Sequence, residues 1–193
     1  MNQQKIGSLI RALRMEKKLT QKQLAQQLNI SDRTVSKWER GLGCPDVSLL
    51  ADVAGLLQVP IEKMLEGELF PNQKDGGNMK RVEFYYCPSC GNVITSSASA
   101  QIGCCGRALQ PLKPVKADQQ HQVKIEQMDG ELYLTFAHPM TKQHFVAFVA
   151  AISYDRVHLV RLYPEQGGEL RMPILPRAKI YLYCTQHGLQ QIQ

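Results

Sequence analysis

The sequence predicts a multidomain protein of α and β structure: an all-α unit, a small cysteine-bearing β unit and an antiparallel β-sandwich. Three observations predict it. Apolar residues recur at helical spacing over roughly the first 66 positions. Four cysteines then fall between residues 87 and 105 in a stretch that otherwise alternates like strands. From residue 121 onward, short runs of alternating apolar residues are separated by turn signals.

The chain has 193 residues, 44% of them hydrophobic, which is enough for one or two domains with a real core. The formal charge of +6 permits a nucleic-acid partner without requiring one. The N-terminus is polar and lacks a signal-peptide apolar core. The longest apolar run, 145–152, is far too short to cross a bilayer. The expectation is therefore a cytoplasmic protein with no membrane partner. In a reducing compartment, close cysteine pairs point to metal rather than to disulfides.

In the helical part, Ile6, Leu9, Ile10, Leu13 and Leu19 place an apolar stripe along a first helix. Thr20-Gln21-Lys22-Gln23 is a capping box that opens a second helix, whose buried side is Leu24, Ala25 and Leu28. Asn29 can take the left-handed conformation that a short turn needs. Ser31 caps a third helix with Val35 and Trp38 facing inward, leaving Asp32, Arg33, Ser36 and Lys37 outside. Asp46 caps a fourth helix containing Leu49, Leu50, Val53 and Leu57, and Pro60 begins a short fifth. Two short helices joined by a tight turn, the second with polar outward residues, form a helix-turn-helix. The lone Cys44 reads as structural.

Residues 67–80 hold Gly67, Pro71, Gly76, Gly77 and Asn78 with little periodic hydrophobicity, and read as a flexible linker. Val82, Phe84 and Tyr86 then alternate as in a strand. Cys87-Pro88-Ser89-Cys90-Gly91 is a metal knuckle, and Cys104-Cys105-Gly106 completes a set of four thiolates suited to tetrahedral iron or zinc. The Ser- and Ala-rich residues 95–100 read as a loop between the two halves.

Further on, 121–127 and 131–136 read as strands flanking the hairpin signal Asp129-Gly130. Residues 145–152 and 157–162 flank Asp155, and 179–183 is a last strand. His158 lies mid-strand as a surface or packing residue. The last ordered stretch is read as 183–188, where Cys184 and His187 can face one metal ion across a tight turn that Gly188 permits. His138 and His144 would stand roughly 20 Å apart along a strand, and on different faces of a helix. A loop through Pro139, Met140 and Thr141 must turn between them if they share an ion. With His121 upstream, four imidazoles and one thiolate could converge. That set exceeds a zinc tetrahedron and suits iron with one position open. Mutually bonded core histidines are the plain structural alternative.

Two family resemblances follow from these motifs. The residues Ile10-Arg11-Ala12-Leu13-Arg14, 19–25, Val35-Ser36-Lys37-Trp38-Glu39-Arg40-Gly41 and Pro45-Asp46 resemble the Cro/CI (XRE) repressor family. The resemblance implies an all-α helix-turn-helix domain over residues 1–66 that binds double-stranded DNA, with 31–40 as the recognition helix. Ser31, Asp32, Arg33 and Lys37 would face bases and Gln21 would contact phosphate. Arg14 and Glu39 match the family's internal ion pair. It also implies a homodimer on a palindromic operator. The domain's charge is only +3, so affinity must come from placement rather than bulk charge.

The spacing of Cys87, Cys90, Cys104 and Cys105 resembles desulforedoxin. Together with Gln120-His121, His138-Pro139-Met140, His144 and Cys184-x-x-His187-Gly188-Leu189, residues 81–190 resemble desulfoferrodoxin, the two-iron superoxide reductase. The resemblance implies a metal-binding β domain over 81–115 holding iron or zinc. It also implies an immunoglobulin-like sandwich over 116–193, with iron held by His121, His138, His144 and His187 and by Cys184 on the axis. Superoxide would be reduced to hydrogen peroxide at the open position, with an electron donor such as rubredoxin. The family often carries Glu-Lys just before the first histidine, where this chain has Gln119-Gln120. Gln120 hydrogen-bonds but brings no charge to an anion. The ligands without the charged assistant suggest a DNA-binding regulator sensing superoxide, oxygen or redox state, with an active superoxide reductase as the alternative.

Overall fold

The computed structural model describes residues 2–72 and 79–192. They separate into two compact units, Met1–Pro71 and Asn72–Gln193. Of the expected linker, residues 73–78 lie outside the described residues. Among the described residues, no helix is long and apolar enough to cross a membrane.

The first unit is a bundle of five helices: α1 (Gln3–Glu16), α2 (Gln21–Gln27), α3 (Asp32–Glu39), α4 (Val47–Leu57) and α5 (Ile61–Glu66). The caps lie where the sequence puts them. Thr20 accepts from the Gln23 backbone while Gln23 reaches back to the Thr20 amide, a complete capping box. Ser31 and Asp46 cap α3 and α4 through their side chains. Asn29 is left-handed, with φ 53°. Ile6, Ile10, Leu24, Val35, Trp38, Val53, Leu57 and Met64 form the core, and Cys44 packs at its edge. Leu19 departs from the expected stripe. α1 ends at Glu16 and Lys18 turns left-handed, so Leu19 belongs to the connection and not to the helix. Helices α1 and α3 approach closely at Gly7, where a Cβ would stand 1.9 Å from the Trp38 carbonyl oxygen.

The second unit begins with two hairpins, β1 (Glu83–Tyr86) with β2 (Val93–Ser96) and β3 (Ile102–Cys104) with β4 (Arg107–Leu109). The expected loop over 95–100 therefore starts later, because Thr95 and Ser96 still pair with Phe84 and Glu83. Then come β5 (Val115–Lys116), β6 (Val123–Met128), β7 (Glu131–Phe136), β8 (Val146–Ile152), β9 (Val157–Arg161), β10 (Glu169–Pro173), β11 (Lys179–Cys184) and β12 (Gly188–Gln191). They form a three-stranded sheet, β10-β7-β6, and a five-stranded sheet, β5-β12-β11-β8-β9, antiparallel except where β5 runs beside β12. Asp129 and Gly130 both have positive φ, as a two-residue hairpin turn requires.

Two expectations change here. His121 does not start a strand: it closes a single 3-10 turn, Gln119–His121, before β6. The chain does not end its order at Gly188 either, since β12 returns along β11.

Strand β8 is buried along its whole length. Its two faces explain that. Val146, Val149 and Ala151 pack between the sheets with Leu134, Met172, Ile180 and Leu182. Phe148, Ala150 and Ile152 pack on the other side with Phe84, Tyr181 and Tyr183. A strand covered on both faces reads as a continuous apolar run.

Candidate metal centres and candidate nucleic-acid interface

In the cysteine cluster, one ligand atom from each of Cys87, Cys90, Cys104 and Cys105 lies within 4.8 Å of all the others. Cys87 follows β1, and the knuckle closes by Gly91 N–H to Cys87 O at 2.8 Å and Cys87 N–H to Asn92 O at 2.9 Å. The adjacent pair is a hairpin device. Cys104 ends β3, while Cys105 and Gly106 form the two-residue turn to β4 with φ of 52° and 71°. A non-glycine residue in that region is costly and calls for a reason. Here the turn brings the Cys105 thiol back to within 4.8 Å of the other three, among which Cys90 Sγ is 3.6 Å from Cys104 Sγ. Backbone N–H groups of Cys90 and Ser89 hold the Cys87 thiol well below its ordinary range. Contacts with Cys90, Cys87 and Cys104 push Cys105 well above it. Four touching thiols cannot all ionise without a cation among them.

The second cluster is built from three segments that meet at one end of the sandwich. His121 is fully buried on its 3-10 turn. His138 and His144 stand on the loop between β7 and β8, which Thr141 closes through N–H to His144 O at 2.9 Å and through its Oγ1, which accepts from His144 N–H at 3.1 Å. Cys184 ends β11 and His187 lies in the turn to β12, with Gly188 at φ 79°. Thr185 ties this turn to the histidine loop, its N–H reaching Phe145 O at 3.0 Å and its Oγ1 accepting from Phe145 N–H at 3.2 Å. Between Tyr183 and Cys184 the register against β8 slips past Ala147. Such bulges re-aim side chains.

One ligand atom each of His121, His138, Cys184 and His187 falls within 4.8 Å of the others. His144 is outside that limit but completes a square of rings. Centroid separations are 5.0 Å for His121–His138, 4.6 Å for His138–His144, 4.9 Å for His144–His187 and 4.9 Å for His187–His121. The His138–His187 separation, a diagonal, is longer at 6.4 Å. His187 presents Nδ1, 3.1 Å from His121 Nε2 and 3.4 Å from Cys184 Sγ. The Cys184 sulfur also accepts from the Gln186 and His187 amides at 3.4 Å each.

Core histidines bonded to one another would satisfy their nitrogens. Instead, Nε2 of His138 and Nε2 of His144 are buried without a hydrogen-bond partner. Two orphaned imidazole nitrogens are costly unless something else occupies them. Burial, with the neighbouring imidazoles, holds both groups below the ordinary histidine range, so each keeps a lone pair free at neutral pH. This donor set fits a metal ion.

Behind the ring of His121 lies a residue that the sequence reading missed. Asp118 Oδ1 is 2.6 Å from His121 Nδ1 and also accepts from the Gln120 and His121 amides. An aspartate three residues before a histidine is the signal of such a capped turn. Gln120 lines a groove with Gln119, Gln122, Lys124 and Thr135.

On the helical unit, Asp32, Arg33 and Lys37 are exposed and line a cleft with Gln21, Ser36 and Arg40. Ser31 is at the head of the same helix, but its hydroxyl is occupied as the cap of Thr34 N–H. Gln21 is half-buried and donates from Nε2 to Glu39 Oε2 at 2.8 Å. Glu39 also pairs with Arg14 at 2.5 and 3.0 Å, the internal ion pair expected.

Residues 10–64 match the helix-turn-helix family model HTH_3. An HTH-type transcriptional activator BcrR of Enterococcus faecalis is 35% identical over 79 residues, covering 39% of this chain and 39% of the relative. A desulfoferrodoxin homolog of Archaeoglobus fulgidus is 27% identical over 119 residues, covering 57% of this chain and 95% of the relative. The superoxide reductase structure from Treponema pallidum matches with a TM-score of 0.50 and 21% identity, covering 57% of this chain and 95% of that one. The chain thus carries a Cro/CI (XRE) helix-turn-helix domain at its N-terminus, and its C-terminal half is similar to desulfoferrodoxins. That similarity, with the two donor clusters, implies iron.

Proposed function

We propose that the protein is a DNA-binding transcription regulator whose desulfoferrodoxin-like half senses superoxide, oxygen or redox state. The observation that carries this reading is the square of four imidazoles beside Cys184, two of them with buried unpaired nitrogens, on a chain that also bears a helix-turn-helix. His121, His138, His144, His187 and Cys184 would hold one iron, and the four cysteines a second iron or a zinc. Iron, when bound, supplies one-electron redox chemistry. The chain's own residues do the rest. The square fixes the donors, the Gln186 and His187 amides temper the Cys184 sulfur, and the β8–β11 contacts carry any change of donor geometry into the sandwich. Arg33, Lys37 and Asp32 would face bases in the major groove of a palindromic operator bound by a dimer. Gln21 would meet phosphate through the atoms that Glu39 leaves free. The reading carries with it a cytoplasmic location.

The alternative is a working superoxide reductase, with an electron donor such as rubredoxin, localised or regulated through its DNA-binding domain. It is favoured by the full ligand set and by similarity over 95% of a desulfoferrodoxin homolog's length. Gln120 distinguishes the two readings. A positive charge beside the centre raises the local concentration of an anion and speeds its arrival. A sensor needs only one oxidation per signal, so a neutral amide suffices for it. Pulse radiolysis of the reduced protein tests this. The sensor reading expects slow oxidation by superoxide with weak salt dependence, both increased by Gln120→Lys. Wild-type oxidation near the diffusion limit favours the enzyme.

A further inference from the structure

We propose that Asp118 is a positioning residue of the histidine–cysteine centre, fixing His121 by its Nδ1 and strengthening it as a donor through Nε2. The inference rests on the reading of that cluster as an iron centre, and extends it to a residue outside the ligand set.

His121 is fully buried, and its two nitrogens have different surroundings. Nδ1 lies 2.6 Å from Asp118 Oδ1, while Nε2 faces His187 Nδ1 at 3.1 Å inside the cluster. A carboxylate only accepts, so Nδ1 carries the proton and Nε2 presents its lone pair to the centre. The carboxylate is itself held in place. The same oxygen accepts from Gln120 N–H at 2.9 Å and His121 N–H at 3.1 Å, so the turn that presents the ring also fixes the group that orients it. His138 is backed differently, its Nδ1 lying 2.7 Å from the neutral Pro139 carbonyl oxygen. Among the described residues, His121 is the histidine of the square with a carboxylate partner.

A carboxylate behind a ligating imidazole fixes its tautomer and raises its basicity. A more basic donor favours the more highly charged metal ion. Asp118 therefore biases the centre toward its oxidised form, making the reduced form easier to oxidise.

The competing role for Asp118 is a cap of the 3-10 turn and nothing more. Asp118→Asn separates the two, since the amide oxygen still accepts from both backbone N–H groups while the charge is gone. Asp118→Ala removes both. The test uses the full chain, purified anaerobically and loaded with iron. In Asp118→Asn, the midpoint potential of the histidine–cysteine site should rise and its thiolate-to-iron absorption should move. Iron affinity at that site, read by chelator competition, should fall about 10-fold, and in Asp118→Ala toward about 100-fold. The cysteine cluster's spectrum should stay as in wild type. Wild-type potential, absorption and affinity in both variants would overturn the proposal and leave Asp118 a cap. Should Asp118→Ala fail to fold, Asp118→Asn still decides. A wild-type protein that takes up no iron at this site would instead overturn the iron-centre reading, and would be seen before any variant is made.

Discussion

The ring of Tyr86 lies 4.7 Å from that of Tyr183, tilted by 41°, and each tyrosine immediately precedes a cysteine of a different cluster. Successive side chains on a strand point to opposite faces. Cys184 therefore faces the sandwich core, while Tyr183 faces out onto the cysteine-bearing hairpin. Arg161 adds a second tie, donating from Nη1 to Gly91 O at 2.6 Å. Because the rings carry this contact, Tyr86→Phe should leave stability within about 0.5 kcal/mol. Tyr86→Ala should cost about 1–3 kcal/mol. Urea unfolding of the metal-free protein, followed by circular dichroism in the β region, measures both.

The two clusters share no ligand, so each should bind metal without the other. Cys184→Ser should remove the thiolate-to-iron band of the histidine–cysteine site and leave the cysteine-cluster spectrum intact. Cys105→Ser should do the reverse. Loss of both spectra in a folded variant contradicts independent sites.

The Arg14–Glu39 pair gives the helical unit a pH dependence. Burial alone would raise the Glu39 carboxyl, but hydrogen bonds from Arg14 and Gln21 and the charges of Arg14 and Arg11 outweigh it and hold the group below its ordinary value. A carboxyl lowered on folding stabilises fully above its unfolded pKa of about 4.3, and loses that contribution as pH falls through the folded value. The unit should therefore lose stability on acidification below about pH 4, and Glu39→Gln should flatten that slope. Arg14→Met, which strands the carboxylate, should cost about 3 kcal/mol at neutral pH. Thermal unfolding between pH 3 and 7 checks all three.

On DNA, Arg33→Ala should weaken specific binding by about 1–3 kcal/mol if Arg33 reads a base, and Lys37→Ala should weaken it as well. Gln21→Ala removes an amide that also bonds Glu39, so it should weaken binding evenly across sequences with a small loss of stability. Titration of an operator and a scrambled duplex distinguishes these patterns. Wild-type affinity in both Arg33→Ala and Lys37→Ala would contradict the recognition-helix assignment.

Much of this was legible in the sequence because its determinants are local. The Thr20 capping box, the Ser31 and Asp46 caps, left-handed Asn29 and the Asp129-Gly130 turn each depend on a few adjacent residues, and all stand where the pattern put them. Most of what was missed depends on distant partners. The short strands β3, β5 and β12 carry little alternation of their own and are strands because of what they pair with, whereas β10 does alternate, at Leu170 and Met172, but over only five residues. His121 looked like a strand residue because Val123 and Ile125 follow in alternation, yet Asp118 winds the preceding residues into a turn. In the site, residue types and spacing pointed to the four histidines and Cys184 that the structure brings together. The square of rings and the slip at Cys184 arise only when separate segments meet, whereas the Asp118 contact is local to one turn and its signal is the three-residue spacing to His121.

The central claim is that the state of the iron-binding half alters DNA binding, and operator affinity in two redox states tests it most directly. The full chain, iron-loaded under anaerobic conditions, is titrated with its operator when reduced and again after stoichiometric oxidation, at fixed salt. Coupling of about 1–3 kcal/mol predicts a change of roughly 5- to 150-fold, absent in Cys184→Ser. Equal affinity in the two states, with both spectra confirming the oxidation change, would contradict the sensor account.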